Sequence, residues 1–372
     1  ASAFPYTCDE LTPDLCELTV TSGNFTSKGL RVNYWLYEAS DKTGASNKLP
    51  VVMAHGGPGW SHDYILPLKQ QACRGRSVLF YDQGGTGRSE RIKDVKKNAP
   101  WLLNADHYVD ELQNLIKHMG WKKYHFLGSS WGTMMGQILA CRQPEGLVSM
   151  VLSGPLSDAQ LYINAQWDQK EGGLGTLPPF LQDRIHKLEK AEAYDSKEYA
   201  SLDTLLTSYF TVRVTPPPDC FMEAINQMNK DIYVGMQGES EFTIGGTLEY
   251  WNYTGRLHEI KVPVLLTSGK FDTMRPPLLR PMVENIPKVE WHVFPHSGHV
   301  SMVDDAREMN DVVANYFDRV ESGATIGGGS SQLLAPISEV QLGEPAVGSY
   351  GTPATTGIAG IAVGLAVGAL GG

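Results

Sequence analysis

Residues 125–136 read HFLGSSWGTMMG. An apolar run stops at a glycine, two serines follow, and a tryptophan and a second glycine close the group. Gly128-Ser129-Ser130-Trp131-Gly132 fits G-x-S-x-G in one register only, which makes Ser130 the central serine. YHFL before it reads as a strand and WGTMMGQILACRQ after it as a helix. In such a turn the glycines relieve crowding, and the serine is held strained and exposed at the helix N-terminus. An ordinary strand-to-helix turn with Ser129 or Ser130 as N-cap would give the same pattern. The surroundings therefore decide.

Outward from this turn, the chain carries short, nearly continuous apolar runs: LPVVMA (49–54), SVLFY (77–81), YHFL (124–127), MVLS (150–153), PVLLTS (263–268) and WHVF (291–294). Such runs suit strands buried on both faces of a mostly parallel sheet. Helical patterns lie between several of them. ADHYVDELQNLIKHMG places Tyr108, Leu112, Leu115 and Ile116 on one face and ends at a glycine. Before residue 48, LTVTSG and LRVNYWLYEA alternate like antiparallel edge strands. Strands alternating with helices predict a doubly wound α/β sheet with helices on both faces.

The alternation lapses over 155–255, where segments such as PFLQDRIHKLEKAEAYDSKEYASLDTLLTSYF read as helical. The expected organisation is a core in two parts, 1–154 and 256–320, with a mainly helical cap at 155–255 inserted over the strand ends. A separate helical domain is the competing reading of that insert. From 321 the composition turns to a Gly/Ser linker, and the run Gly357–Leu370 has 14 apolar residues. That is short of the ~20 needed to span a bilayer. The tail reads either as a cleavable lipid-anchor signal or as a floppy Gly/Ala end.

A formal charge of −10 and the absence of a basic run exclude a nucleic-acid surface. There are five cysteines and no CxxC pair, so a structural zinc site is not expected. Cys8 and Cys16 are close enough in sequence to predict a disulfide closing a short loop, and the odd count leaves a free thiol. With N-x-Thr sequons at Asn24 and Asn252, the cysteines favour a secreted or secretory-pathway protein, possible membrane association being through the tail; a cytoplasmic location is the alternative.

Three further features bear on Ser130. His55-Gly56-Gly57-Pro58-Gly59 follows the strand LPVVMA directly, where glycines let backbone N–H groups approach a developing negative charge. Asp272, in LLTSGKFDTMRPP, follows the strand PVLLTS. His299, in WHVFPHSGHVSM, follows the last strand, and is preferred to His296 because the loop must first leave the strand. Serine is a poor nucleophile unless a base takes its proton, which a neutral imidazole (pKa ~6.5) oriented by a carboxylate can do. No third ligand accompanies the two histidines, so no metal or other cofactor is expected.

HGGPG, YDQGGTGRSE, GSSWG, GKFDTMRPP and SGHVSM together resemble the proline iminopeptidase family of α/β-hydrolases, including the tricorn-interacting aminopeptidases. The resemblance runs over roughly 28–318, and EFTIGGTLEYWNYTGRLHEIKVPVLLTSGKFD looks like the cap-to-core stretch of the tricorn-interacting branch. It implies the α/β-hydrolase fold with a cap and a triad of Ser130, Asp272 and His299. It also implies oxyanion donors from Gly57 and Trp131, and Gly56 beside the substrate. Family members hold the substrate amine with cap glutamates; Glu241 matches one, and Glu223 is a candidate for the second. Two departures stand out: HGGPGW, where the family often has a further glycine, and DQGG, where an arginine often stands third.

The expected activity is removal of an N-terminal residue, proline favoured, from short peptides or amino-acid amides with a free N-terminus. An amidase or small-ester hydrolase of the same fold is the alternative within hydrolases. An inactive hydrolase-fold binding module is the alternative of another class.

Overall fold

The computed structural model describes residues 7–12, 15–40 and 48–327. The chain from 328 on, including the apolar run, lies outside the described residues. Eight strands form one sheet: β1 (Leu18–Ser27), β2 (Leu30–Ala39), β3 (Val51–Ala54), β4 (Val78–Tyr81), β5 (Tyr124–Ser129), β6 (Leu147–Ser153), β7 (Val264–Gly269) and β8 (Val289–Phe294). Their order across the sheet is β1-β2-β4-β3-β5-β6-β7-β8. The pairs β1–β2 and β2–β4 are antiparallel and all others parallel. The six apolar runs are thus six strands, and the two alternating segments are the antiparallel edge. YHFL proves too short: β5 continues through Gly128 to Ser129.

β3, β4, β5 and β7 are buried throughout because helices cover both faces. Alternate residues feed two cores. Val52, Leu79 and Phe126 pack with the helices Ala105–His118 and Trp131–Cys141. Val51, Phe80 and Leu127 pack with the helix Ala306–Glu321 and the 3-10 segment His62–Arg74. Each such side chain contributes about 1.5–3 kcal/mol of burial. The face predicted for Ala105–His118 is the one buried, and Gly120 just beyond it has φ +69°.

Between β6 and β7 the chain is helical: Ala159–Ala165, Pro179–Lys190, Lys197–Leu206, Asp219–Asn226 and Lys230–Met236. The helix Lys197–Leu206 runs into one π-type turn, Thr207–Thr211. No helix among the described residues is long and apolar enough to cross a membrane.

The cysteine pairing corrects the sequence expectation. Cys8 is bonded to Cys220 and Cys16 to Cys73, not to each other. Cys8 lies in a short helix whose first N–H donates to Asp219 Oδ1 (2.9 Å), bringing it to the start of Asp219–Asn226. Cys16 is delivered to the 3-10 segment, where Gln70 takes Leu15 N–H and donates to Thr12 O. Partners 57 and 212 residues away in sequence are beyond what cysteine spacing can reveal. Cys141 is free and buried.

Candidate active site

Ser130 has φ +54° and ψ −121°, a backbone conformation costly for a residue with a side chain. It persists because both sides hold it. Ser130 N–H donates to Ser153 O (2.8 Å), and Thr133 N–H and Oγ1–H donate to Ser130 O. The glycines have a steric reason. A Cβ on Gly128 would sit 2.3 Å from Gly132 O, and one on Gly132 would sit 2.4 Å from Ala54 O. The helix Trp131–Cys141 therefore starts directly against the end of β3.

The register aligns the strand ends. Ala54 pairs with Gly128, Ser129 with Ser153, and Ser153 with Thr267. His55, Ser130, Gly154 and the loops after β7 and β8 consequently meet at one edge, the carboxyl ends of the strands. Asp272 is fully buried there. Its Oδ1 accepts from His299 Nδ1–H (2.8 Å) and from Met274 N–H (2.8 Å). Gly154 leaves the room for this pair, since a Cβ on it would sit 2.5 Å from His299 Cε1. The His299 loop is tied to the helical insert, as His299 and Val300 N–H donate to Phe210 and Thr211 O. His299 Nε2 is buried without a protein partner and lines the same recess as Ser130. His296, its rival, is exposed on the surface.

Burial disfavours a charged His299, but the Asp272 charge and hydrogen bond, with Glu241 beyond, outweigh it and raise its pKa above the usual 6.5. As only neutral imidazole can take a proton, turnover is expected to rise with pH through a midpoint above 6.5. The pH profile of kcat/KM reads this midpoint directly, and a midpoint at or below 6.5 would contradict it.

Gly57 has φ +118°, and neither its N–H nor that of Trp131 meets an acceptor among the described residues. Both residues line a recess with Ser130. Gly56 is different: its N–H is taken by Tyr64 Oη (2.6 Å), and a Cβ on it would meet Ser130 Cβ at 2.7 Å. Gly56 thus packs behind the serine, with no N–H left for a substrate. Two small adjoining recesses open over Ser130. Met134, Leu156, Ile244 and Met274 give one of them apolar walls.

A family model for the alpha/beta hydrolase fold matches residues 50–306. A proline iminopeptidase of Clostridium botulinum is 35% identical over 277 residues, covering 73% of this chain and 91% of that protein. The chain belongs to the proline iminopeptidase family of α/β-hydrolases. The proline iminopeptidase of Clostridioides difficile is 32% identical, covering 81% of this chain and 99% of its own length. The crystal structure of the proline iminopeptidase of Mycobacterium smegmatis superposes with a TM-score of 0.75 at 29% identity, covering 82% of this chain and 99% of that one. As a member of this family, the protein is a serine-hydrolase-fold aminopeptidase.

The expected cap carboxylates divide. Glu241 lines both recesses, and its Oε2 accepts from Tyr233 Oη–H (2.5 Å). Burial raises its pKa, against the pull of His299 and Tyr233. Glu223, the proline iminopeptidase candidate for a second amine ligand, is instead at the surface. It accepts from Arg88 Nη2 (3.2 Å) and Gln227 Nε2 (2.9 Å) and lines neither recess, because its helix packs Phe221 and Ala224 into the core and leaves Glu223 facing Arg88 at the surface. Asp203, on the helix Lys197–Leu206, is a second acid of the insert, and it too lines neither recess. It is buried, Oδ2 has no partner, and burial together with the Glu241 charge pushes its pKa up to about 7. No Lys or Arg pairs with either carboxylate among the described residues. A lone Asp in a polar helical stretch carries no sequence signal; only its missing cation marks it out.

The DQGG departure also has a structural counterpart. Gly84 N–H donates to buried Glu111 Oε1, and a Cβ at position 84 would meet Glu111 Oε2 at 2.6 Å. With no cation there, burial raises Glu111 to about 8. The sequons lie at exposed positions: Asn24 on β1, and Asn252 with its Nδ2 on Asp158 Oδ2.

Proposed function

We propose that this protein removes the N-terminal residue, proline favoured, from short peptides through an acyl-enzyme on Ser130. His299 takes the serine proton and later returns it to the leaving amine, while Asp272 holds the imidazole with Nε2 free for that transfer. Gly57 and Trp131 N–H stabilise the oxyanion. Glu241 takes the α-ammonium, and the apolar walls take the pyrrolidine ring. The observation that carries this reading is a part-buried carboxylate without a Lys or Arg partner among the described residues, Glu241, in the recess that holds Ser130 and His299. A charge in such a place needs a partner.

A panel of aminoacyl-aminocoumarins, each with free and acetylated amine, tests it. Prolyl-aminocoumarin should turn over fastest, and acetylation should abolish turnover. Retained turnover of the blocked substrates would favour a general amidase or esterase. The two disulfides further support an oxidising compartment, hence secretion, as part of the same proposal.

A further inference from the structure

Gln83, the second residue after β4, lines neither recess, yet it bonds Trp131 on one side and His55, next to the Gly56–Gly57 peptide, on the other. Its side chain is fully buried. Gln83 Nε2–H donates to His55 O (2.9 Å), and Gln83 Oε1 accepts from Trp131 Nε1–H (2.9 Å). One amide therefore joins the loop after β3 to the residue that follows Ser130.

A third contact extends the link. Gln83 backbone N–H donates to His55 Nε2 (3.1 Å), so that nitrogen is the acceptor and the ring proton is on Nδ1. Nδ1–H then donates to Gly56 O (2.9 Å). Burial keeps the His55 ring neutral, its pKa lowered to about 4. The Gly56 carbonyl and the Gly57 N–H belong to one planar trans peptide and point in opposite directions. Anchoring that carbonyl therefore sets the direction of the Gly57 N–H. On the other side, holding the Trp131 indole fixes the residue whose own N–H is the second donor.

We propose that Gln83 is a positioning residue that locks the two halves of the oxyanion hole in register. This rests on the reading of Gly57 and Trp131 as oxyanion donors. The alternative is that Gln83 merely fills and stabilises the core. The two differ in what they change: a positioning role acts on the charged transition state, a filling role acts on folding alone.

The test uses Gln83→Met, which keeps length and volume but makes neither side-chain bond, and Trp131→Phe, which removes the indole N–H. Gln83→Met should lower kcat about 10²-fold, the effect of a small misplacement at a reacting centre, with KM little changed. An aminoacyl aldehyde, whose serine adduct places an oxyanion in the hole, should lose affinity in step with kcat/KM. Pyrrolidine, an ammonium with no carbonyl or carboxylate, should keep its affinity. The double variant should fall no further than the stronger single one, since both break one link. Gln83→Glu, which keeps the acceptor for the indole, should recover part of the Trp131 side of the link and fall between wild type and Gln83→Met.

Unchanged kcat in a folded Gln83→Met would overturn the proposal, as would a loss of pyrrolidine affinity equal to that of the aldehyde. If Gln83→Met does not fold, Trp131→Phe carries the same comparison of aldehyde and pyrrolidine. Failure of the underlying reading shows separately, as full activity in Ser130→Ala.

Discussion

Ser130→Ala is expected to lower turnover of prolyl-aminocoumarin by about 10⁴-fold or more, with thermal unfolding little altered. The side chain lost is one oxygen at the mouth of a recess, so little packing goes with it. The strained φ of +54° remains, held by Ser153 O and by Thr133 on either side. Loss of labelling by a fluorophosphonate should accompany the loss of turnover, because the probe reacts with the same oxygen. Asp272→Asn should fall about as far, by roughly 10⁴-fold. Asp272 Oδ1 takes two donors at once, His299 Nδ1–H and Met274 N–H. An asparagine offers the same oxygen without the charge that stabilises the imidazolium. Its amide nitrogen in that place would face two donors and turn the ring away. Wild-type turnover in either variant would overturn the assignment of the triad.

Glu241→Gln is expected to reduce kcat/KM for free-amine substrates by about 10²-fold or more, since removing one partner of a buried pair strands the other charge. Asp203→Asn should cost less, because Asp203 is pushed up to about 7 and is largely neutral in mildly acidic solution. The discriminating control is labelling by a fluorophosphonate that carries no amine. Its rate should be unchanged in Glu241→Gln if the carboxylate binds the ammonium. Equal losses in labelling and turnover would instead place Glu241 on His299, which already feels its charge. The experiment therefore separates an amine anchor from an electrostatic aid to the base.

The chemistry most visible in the sequence lies where local rules are strict. An elbow between a buried strand and a helix excludes side chains at positions 128 and 132, so glycine must appear there. The same holds after β3, where Gly57 takes a positive φ. Asp272 and His299 were legible because each follows a strand whose apolar run is plain. Glu241 was legible through the resemblance of its surroundings. Glu223 was not a sound choice, because nothing local tells which face of a helix will meet the pocket and which will meet Arg88. Asp203 escaped notice for the same reason. Gln83 stood in a motif without a role, since its partners lie 28 and 48 residues away.

The sheet, the glycine-flanked elbow and the order Ser130, Asp272, His299 at the ends of its strands were readable from the chain alone, because burial and backbone sterics act over a few neighbouring residues. Packing across the fold set the rest: Cys8 pairs with Cys220 and Cys16 with Cys73, Glu241 and not Glu223 lines the recesses over Ser130, and one glutamine joins His55 to Trp131. Those outcomes depend on distances across the fold, which are set when helices and loops far apart in the chain pack together.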